Sequence, residues 1–397
     1  DYFDDYANRF TMQQVSEKSY LPANKVLLGL MKKYGQKFRV SFSISGTALD
    51  QMEQYAPEVL ESFQELAATG SVEFLAETYS HSLASLISPR EFASQVAAHS
   101  KRIESLFGQK PTSFRNTELI YSDQIGQMVY DMGYKIMLSE GAKHILGWKS
   151  PNFMYCSATT PKLKLLMRNF QLSDDIAVRF SERRWSQWPL TAEKFLGWFN
   201  AMNPKEEVVN LFMDYETFGE HQWEESGIFK FLKAFPKLII QHSEFTFKTP
   251  NELSEVLQPV SGVHIPYPIS WADEERDITA WQGNEMQQEA FEKLFSIEEK
   301  VRSCEDEELL GQWRYLQTSD HFYFINTKWF SDNMVLRYMN PYNSPYDAFI
   351  NFMNVLSDFM IRVDKAAAKL PEKKPAKAKS SGTTTRKKSS VKERSSR

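Results

Sequence analysis

Phe38, Val40, Phe42 and Ile44 alternate with polar neighbours up to Ser45-Gly46, a period of two that predicts a strand. A second apolar run, Val72 to Ala76, leads into Glu77, and a third short strand, Ser113 to Asn116, leads towards Glu118. Between them the period changes to that of a helix. Ser88-Pro89-Arg90-Glu91 reads as a capping box with proline at the first helical position, and Phe92, Val96, Ile103 and Phe107 share one face until Gly108. Ser122 is placed to cap a helix whose Ile125, Met128, Val129 and Met132 align, with Gly133 at its end. Further short strands are predicted at Lys135–Ser139, Leu163–Arg168, Ile176–Phe180, Val208–Met213 and Glu244–Thr249. Thr249-Pro250-Asn251-Glu252 repeats the capping-box pattern. From about residue 275 onward the spacing is helical, through Met286, Ala290, Leu294 and Ile297 and again through Phe349, Met353, Leu356 and Met360.

Short apolar strands alternating with helices predict an α/β fold with a mainly parallel sheet, and this many units favours a closed or nearly closed barrel. Glu77, Glu118 and Asp214 each stand where a predicted strand ends. In parallel barrels those ends form the active face, so the three carboxylates are expected to converge.

Composition narrows the function. Lys and Arg total 47 against 51 Asp and Glu, a near balance that does not favour nucleic acid as the main partner. The balance is uneven along the chain, since residues 371–397 hold ten basic and two acidic residues and the first 370 hold 37 and 49. That Lys/Ser/Thr-rich end has no aromatic residue to bury, which predicts a disordered basic tail capable at most of weak, salt-sensitive contact with polyanions. Two cysteines, Cys156 and Cys304, lack CxxC spacing and offer neither a disulfide framework nor a cysteine zinc site. No apolar run is long enough to cross a membrane, and no basic-then-apolar leader stands at residue 1, so a cytoplasmic location is expected. The seven histidines form no HxH or HxxxH pair, and P-loop, GxGxxG and GxSxG strings are absent, so no metal and no cofactor is expected.

Two carboxylates on different strand ends, one kept ionised and one kept protonated, are the equipment of a glycosidase. Glu118 has Arg115 three residues before it, and Asp214 sits in LFMDYETFGEHQ with Glu216 and His221 close behind. On pattern alone Asp214 reads equally well as a helix cap, and Glu118 reads more readily as a surface acid in a loop. Aromatic residues make up 14% of the chain, and Trp148, Trp185, Trp188, Trp271 and Trp281 are available to pack on sugar faces, though tryptophan more often serves a core.

The segments SVEFLAETYSHS (71–82), FRNTELIYSD (114–123), LFMDYETFGEHQ (211–222), DEERDITAWQGNEMQQEAF (273–291) and YLQTSDHFYF (315–324) resemble, in order, the conserved blocks of glycoside hydrolase family 57. The resemblance implies an incomplete TIM-like (β/α)7 barrel over residues 1–272, a helical region over 273–365 and the tail over 366–397. It also implies retaining cleavage or transfer of α-glucosidic bonds in an α-glucan or maltooligosaccharide. Glu118 matches the nucleophile, Asp214 the general acid/base and His81 a substrate-contacting histidine. Glu77, His81, Arg115, Trp148, His221, Trp281 and Asp320 form the expected substrate-binding set. The family's opening His-Gln-Pro strand has no counterpart, and DYFDDYANRF resembles the stretch that follows it, so the first strand is expected to be missing. An α-amylase-like hydrolase is the leading expectation. A 4-α-glucanotransferase using the same residues and a catalytically silent glucan-binding relative are the alternatives.

Overall fold

The computed structural model describes residues 3–328 and 340–369. Seven short strands run through the first 263 residues: β1 (Val40–Phe42), β2 (Val72–Phe74), β3 (Ser113–Arg115), β4 (Ile136–Glu140), β5 (Met154–Ser157), β6 (Lys164–Arg168) and β7 (Ser261–Val263). β1 pairs with β2 in parallel, with Val40 opposite Val72. A parallel bridge from Ala76 to Phe114 carries the ladder on to β3, and from there the order is β3-β4-β6-β5-β7. All pairs are parallel except β5 with β6.

Successive residues on a strand face opposite sides, and here both sides are buried. Ile136 and Leu138 of β4 and Leu166 of β6 point to an inner apolar cluster with Leu75, Leu119 and Met154, against which Phe212 and Trp271 pack. Their neighbours Met137, Leu165 and Met167 face the other way, into the large core shared with the C-terminal helices. This double burial explains why β4 and β6 read as unbroken apolar runs. The fold is mixed α/β, and its hydrogen-bonded ladder does not close on itself among the described residues.

Several predicted elements differ. Residues 176–180 are not a strand: the helix Phe170–Ala177, started by Asn169, whose side chain accepts from the Leu172 amide, ends within this stretch and residues 178–180 turn away from it. Val208–Met213 runs extended but joins no ladder. Side chains and isolated amides hold it instead: Asn169 N–H donates to Asn210 O (2.9 Å), the Asn210 amide to Met167 O (2.9 Å), and Phe212 N–H to Ser173 Oγ (3.2 Å). Glu244–Thr249 is likewise outside any ladder, with Phe245 and Phe247 packed edge-on against Phe199 and Phe38. β5 and β7 escaped the pattern, β7 being only Ser-Gly-Val.

Thr249 and Glu252 form a complete capping box. At Ser88 only one arm forms, because the Glu91 carboxylate faces Arg302 and Arg314 and ties the helix Pro89–Phe107 to the C-terminal region. That region is helical, from Glu285–Ser296 to Pro345–Ala367. The last helix thus enters the stretch expected as tail, and residues 370–397 lie outside the described residues.

Candidate active site

Glu118 follows β3 on a single turn, Thr117–Leu119, in which it adopts φ 56° and ψ 26°. A non-glycine residue in this left-handed region is strained and persists only where its surroundings over-determine it. Thr117 Oγ1 donates to Ser82 O (2.8 Å), the Asn116 amide donates to Ile120 O (2.9 Å), and Trp271 N–H reaches Glu118 O (3.3 Å). His81 is in the same conformational region, at φ 49°. Its carbonyl accepts from Ser319 of the helical region (3.0 Å), so that region pins the turn.

Both oxygens of Glu118 are held. His81 Nε2 lies 2.9 Å from Oε1, and the Trp271 indole N–H donates to Oε2 at 2.7 Å. The other His81 nitrogen, Nδ1, is 3.1 Å from Glu77 Oε2, and Ser43 donates to Glu77 Oε1 at 2.7 Å. Burial works against charge on each of these groups, yet the bonds and charges between them prevail. Glu77 is lowered to about 2, Glu118 is lowered below its ordinary value, and His81 is raised to about 10. His81 is therefore an imidazolium between two carboxylates, with both nitrogens engaged. Arg115 forms no direct ion pair with Glu118. Its guanidinium lies 5.0 Å from the centre of the Trp271 ring, from where its charge helps to lower both glutamates.

The opposite holds at Asp214, which begins the turn Tyr215–Thr217 after the extended segment. The residue is exposed at the surface, yet the protein packed around it limits the water available to solvate its charge. That enclosure is the first cause that pushes it up to about 6; the negative charges of Glu216 and Glu118 add to it, while His221 and Arg115 oppose. Glu216 is oriented by Tyr20, whose hydroxyl donates to it. Tyr20 closes a π-helical turn, Ser16–Tyr20, that widens the N-terminal helix where it meets this segment. Tyr215 stacks on Tyr20 and donates to Asn24 Oδ1 (2.6 Å).

Of the expected residues, Glu77, His81, Arg115, Glu118, Asp214, His221 and Asp320 share one electrostatic environment, Asp320 being raised by burial and by Glu118 against the pull of His81. Two tryptophans do not join them. Trp281 is 2% exposed and belongs to the core, beside Tyr323, while Trp148 is 94% exposed. Pattern reading missed Trp271 as the residue gripping Glu118; its only signal was its place just before the block that begins at Asp273. Among the described residues no group of three or more His, Cys, Asp or Glu is placed to hold a metal ion, and no helix is long and apolar enough to cross a membrane.

Removing His81 should show its part. His81→Ala leaves Glu77, 1% exposed, without its cation, which should cost about 3 kcal/mol of stability. It should also move the acidic limb of kcat/KM upward, because Glu118 loses the bond that lowers it. The pairing stabilises fully between the ordinary values of 4.5 for Glu77 and 6.5 for His81, and is lost as pH falls through about 2 or rises through about 10. Urea unfolding and a pH–rate profile test this, and an unmoved acidic limb would contradict it.

The sequence model of Glycosyl hydrolase family 57 matches residues 1–266. A relative from Methanocaldococcus jannaschii named "Putative alpha-amylase" is 40% identical over an alignment of 379 residues that covers 93% of this chain and 80% of that one. Among solved structures, a family 57 branching enzyme from Thermococcus kodakaraensis superposes with a TM-score of 0.64 at 13% identity, over 91% of this chain and 90% of its own. The α-amylase AmyC from Thermotoga maritima gives 0.60 at 14%, over 93% and 94%. A 4-α-glucanotransferase from Thermococcus litoralis gives 0.64 at 14%, over 79% of this chain but 53% of that longer one.

Proposed function

The chain belongs to glycosyl hydrolase family 57, and from that premise we propose that it cleaves α-glucosidic bonds in α-glucans by a retaining, two-step displacement on a (β/α)7-type barrel. One observation carries the assignment of roles: two neighbouring carboxylates have environments that push them apart, Glu118 down and Asp214 up to about 6. Glu118, ionised, attacks the anomeric carbon and forms a glycosyl ester. Asp214, protonated, gives its proton to the departing glycosidic oxygen. Once Glu118 is esterified its negative charge is gone, and with it one of the causes that raise Asp214. Asp214 is then better suited to remain a carboxylate and to take a proton from the incoming water, whose oxygen displaces Glu118 and restores the original anomer. Glu77, His81, Arg115, His221 and Asp320 surround this chemistry as orienting and substrate-binding groups.

Hydrolysis is favoured over transfer because the 40%-identical relative carries an amylase name. Incubation of the protein with maltoheptaose tests it. Rising reducing ends mean hydrolysis; redistributed chain lengths at constant reducing ends mean a glucanotransferase; no change means a silent binding relative. The pH dependence of kcat/KM should be bell-shaped. Below about 6 Asp214 holds the proton it must donate, and above it the rate should fall tenfold per pH unit. The acidic limb should lie below 4.5, where Glu118 gains a proton. A basic limb at 8 or higher would contradict the role of Asp214.

A further inference from the structure

The segment that delivers Asp214 has no ladder to hold it, yet the acid must be placed to a fraction of an ångström. Arg168, the last residue of β6, lies directly behind that segment with its side chain 5% exposed. Its Nε–H donates to Phe212 O at 2.7 Å, two residues before Asp214. Nη1 donates to Glu140 Oε2 at the end of β4 (3.2 Å), and Nη2 to Asp174 Oδ1 in the helix Phe170–Ala177 (2.5 Å). The same guanidinium stands 5.5 Å from the centre of the Trp271 ring, whose N–H holds Glu118. Arg276 completes the group: it bonds Asp174 Oδ2 (3.2 Å), lies 4.0 Å from Glu140 and donates to the Trp271 carbonyl. Two arginines and two carboxylates thus form a knot, with Arg168 and Glu140 buried and Asp174 and Arg276 half-buried, that touches the Asp214 segment at Phe212 and reaches Glu118 through Trp271.

We propose that Arg168 is a positioning residue for the reaction, fixing the Asp214 segment against β6 and, through the ring of Trp271, keeping it in register with Glu118. This rests on the roles assigned above to Asp214 and Glu118. Guanidinium geometry is what the task requires, because its fork reaches a carbonyl and two carboxylates in one plane. A lysine in its place keeps the charge beside Glu140 and Asp174 but cannot also hold Phe212 O.

The test compares wild type, Arg168→Lys and Asp214→Asn on maltoheptaose, whose leaving group needs a proton, and on α-glucosyl fluoride, whose leaving group does not. For Arg168→Lys the expected result is a loss of kcat/KM of at least about tenfold on maltoheptaose and under about threefold on the fluoride, with the basic limb near pH 6 displaced by half a unit or more. Equal losses on both substrates with the limb unmoved would reveal a merely structural staple and overturn the proposal, as would wild-type rates on both. Should circular dichroism show that Arg168→Lys does not fold, the double variant Arg168→Met/Glu140→Gln removes one charge of each sign and is read by the same criteria. If Asp214→Asn shows no preference for the fluoride, the acid assignment itself has failed and the inference falls with it. If Asp214→Asn behaves as an acid variant and Arg168→Lys does not, only the inference has failed.

Discussion

Glu118→Ala should abolish turnover of maltooligosaccharides, lowering kcat/KM by at least about 10⁴-fold, roughly 5.5 kcal/mol of transition-state stabilisation. The reason is that Glu77, the carboxylate paired with the same imidazole, is not free to form the ester in its place. Glu77, its neighbour across His81, has one oxygen bonded to Ser43 and the other to His81, and it is buried away from any substrate. Removing the carboxylate leaves His81 paired with Glu77, so the fold should survive, which circular dichroism checks. The cavity left by the side chain then admits a small anion. With α-glucosyl fluoride and azide, the Glu118→Ala variant should form β-glucosyl azide, the inverted product, because azide takes the place and face of the lost carboxylate. Recovery of the α-azide instead would place the nucleophile elsewhere.

Asp214→Ala should be nearly as damaging on natural glucans and far less so on activated ones. General acid catalysis contributes about 10² to 10⁴-fold, so kcat/KM on maltoheptaose should drop by about 10³ while the value on α-glucosyl fluoride stays within about tenfold. The basic limb near pH 6 should vanish with the group that titrates there. Azide should now give α-glucosyl azide, since Glu118 still forms the ester and azide intercepts it from the side where Asp214 stood. The two variants therefore yield opposite anomers from one substrate and one anion. Identical anomers from both would refute the division of roles, whatever the rates.

Much of the scaffold was legible because its signals are local. Ser122 caps the helix Asp123–Asp131 through the amide of Ile125, three residues on. The chain around β4 and β6 shows its strands as continuous apolar runs because both faces are covered, and the helix Pro89–Phe107 stops at Gly108, which adopts the left-handed conformation that ends helices. Glu77, Glu118 and Asp214 could be picked out as acids at the ends of apolar runs for the same reason. Errors arose where a distant partner decides. Ile176 to Phe180 looks like a strand until Asn169 starts a helix before it, and Val208 to Met213 looks like a ladder strand although its partners are the Asn169 amide, the Met167 carbonyl and the Ser173 hydroxyl.

Sequence by itself thus determined the alternation of strands and helices, the positions of the acids and the helical C-terminal region, since each depends on periodicity and on caps a few residues away. Tertiary structure alone decided what those acids are. Glu118 is gripped by His81 and Trp271, 37 and 153 residues distant, and is held in a left-handed turn that no local preference would select. Trp281 went into the core and Trp271 to Glu118, a choice invisible in two similar tryptophans ten residues apart. Asp214 owes its raised value to enclosure and to the charges of Glu216 and Glu118. Protonation depends on every charge and dielectric boundary within several ångströms, whichever part of the chain supplies them, so it becomes defined only when the chain has folded.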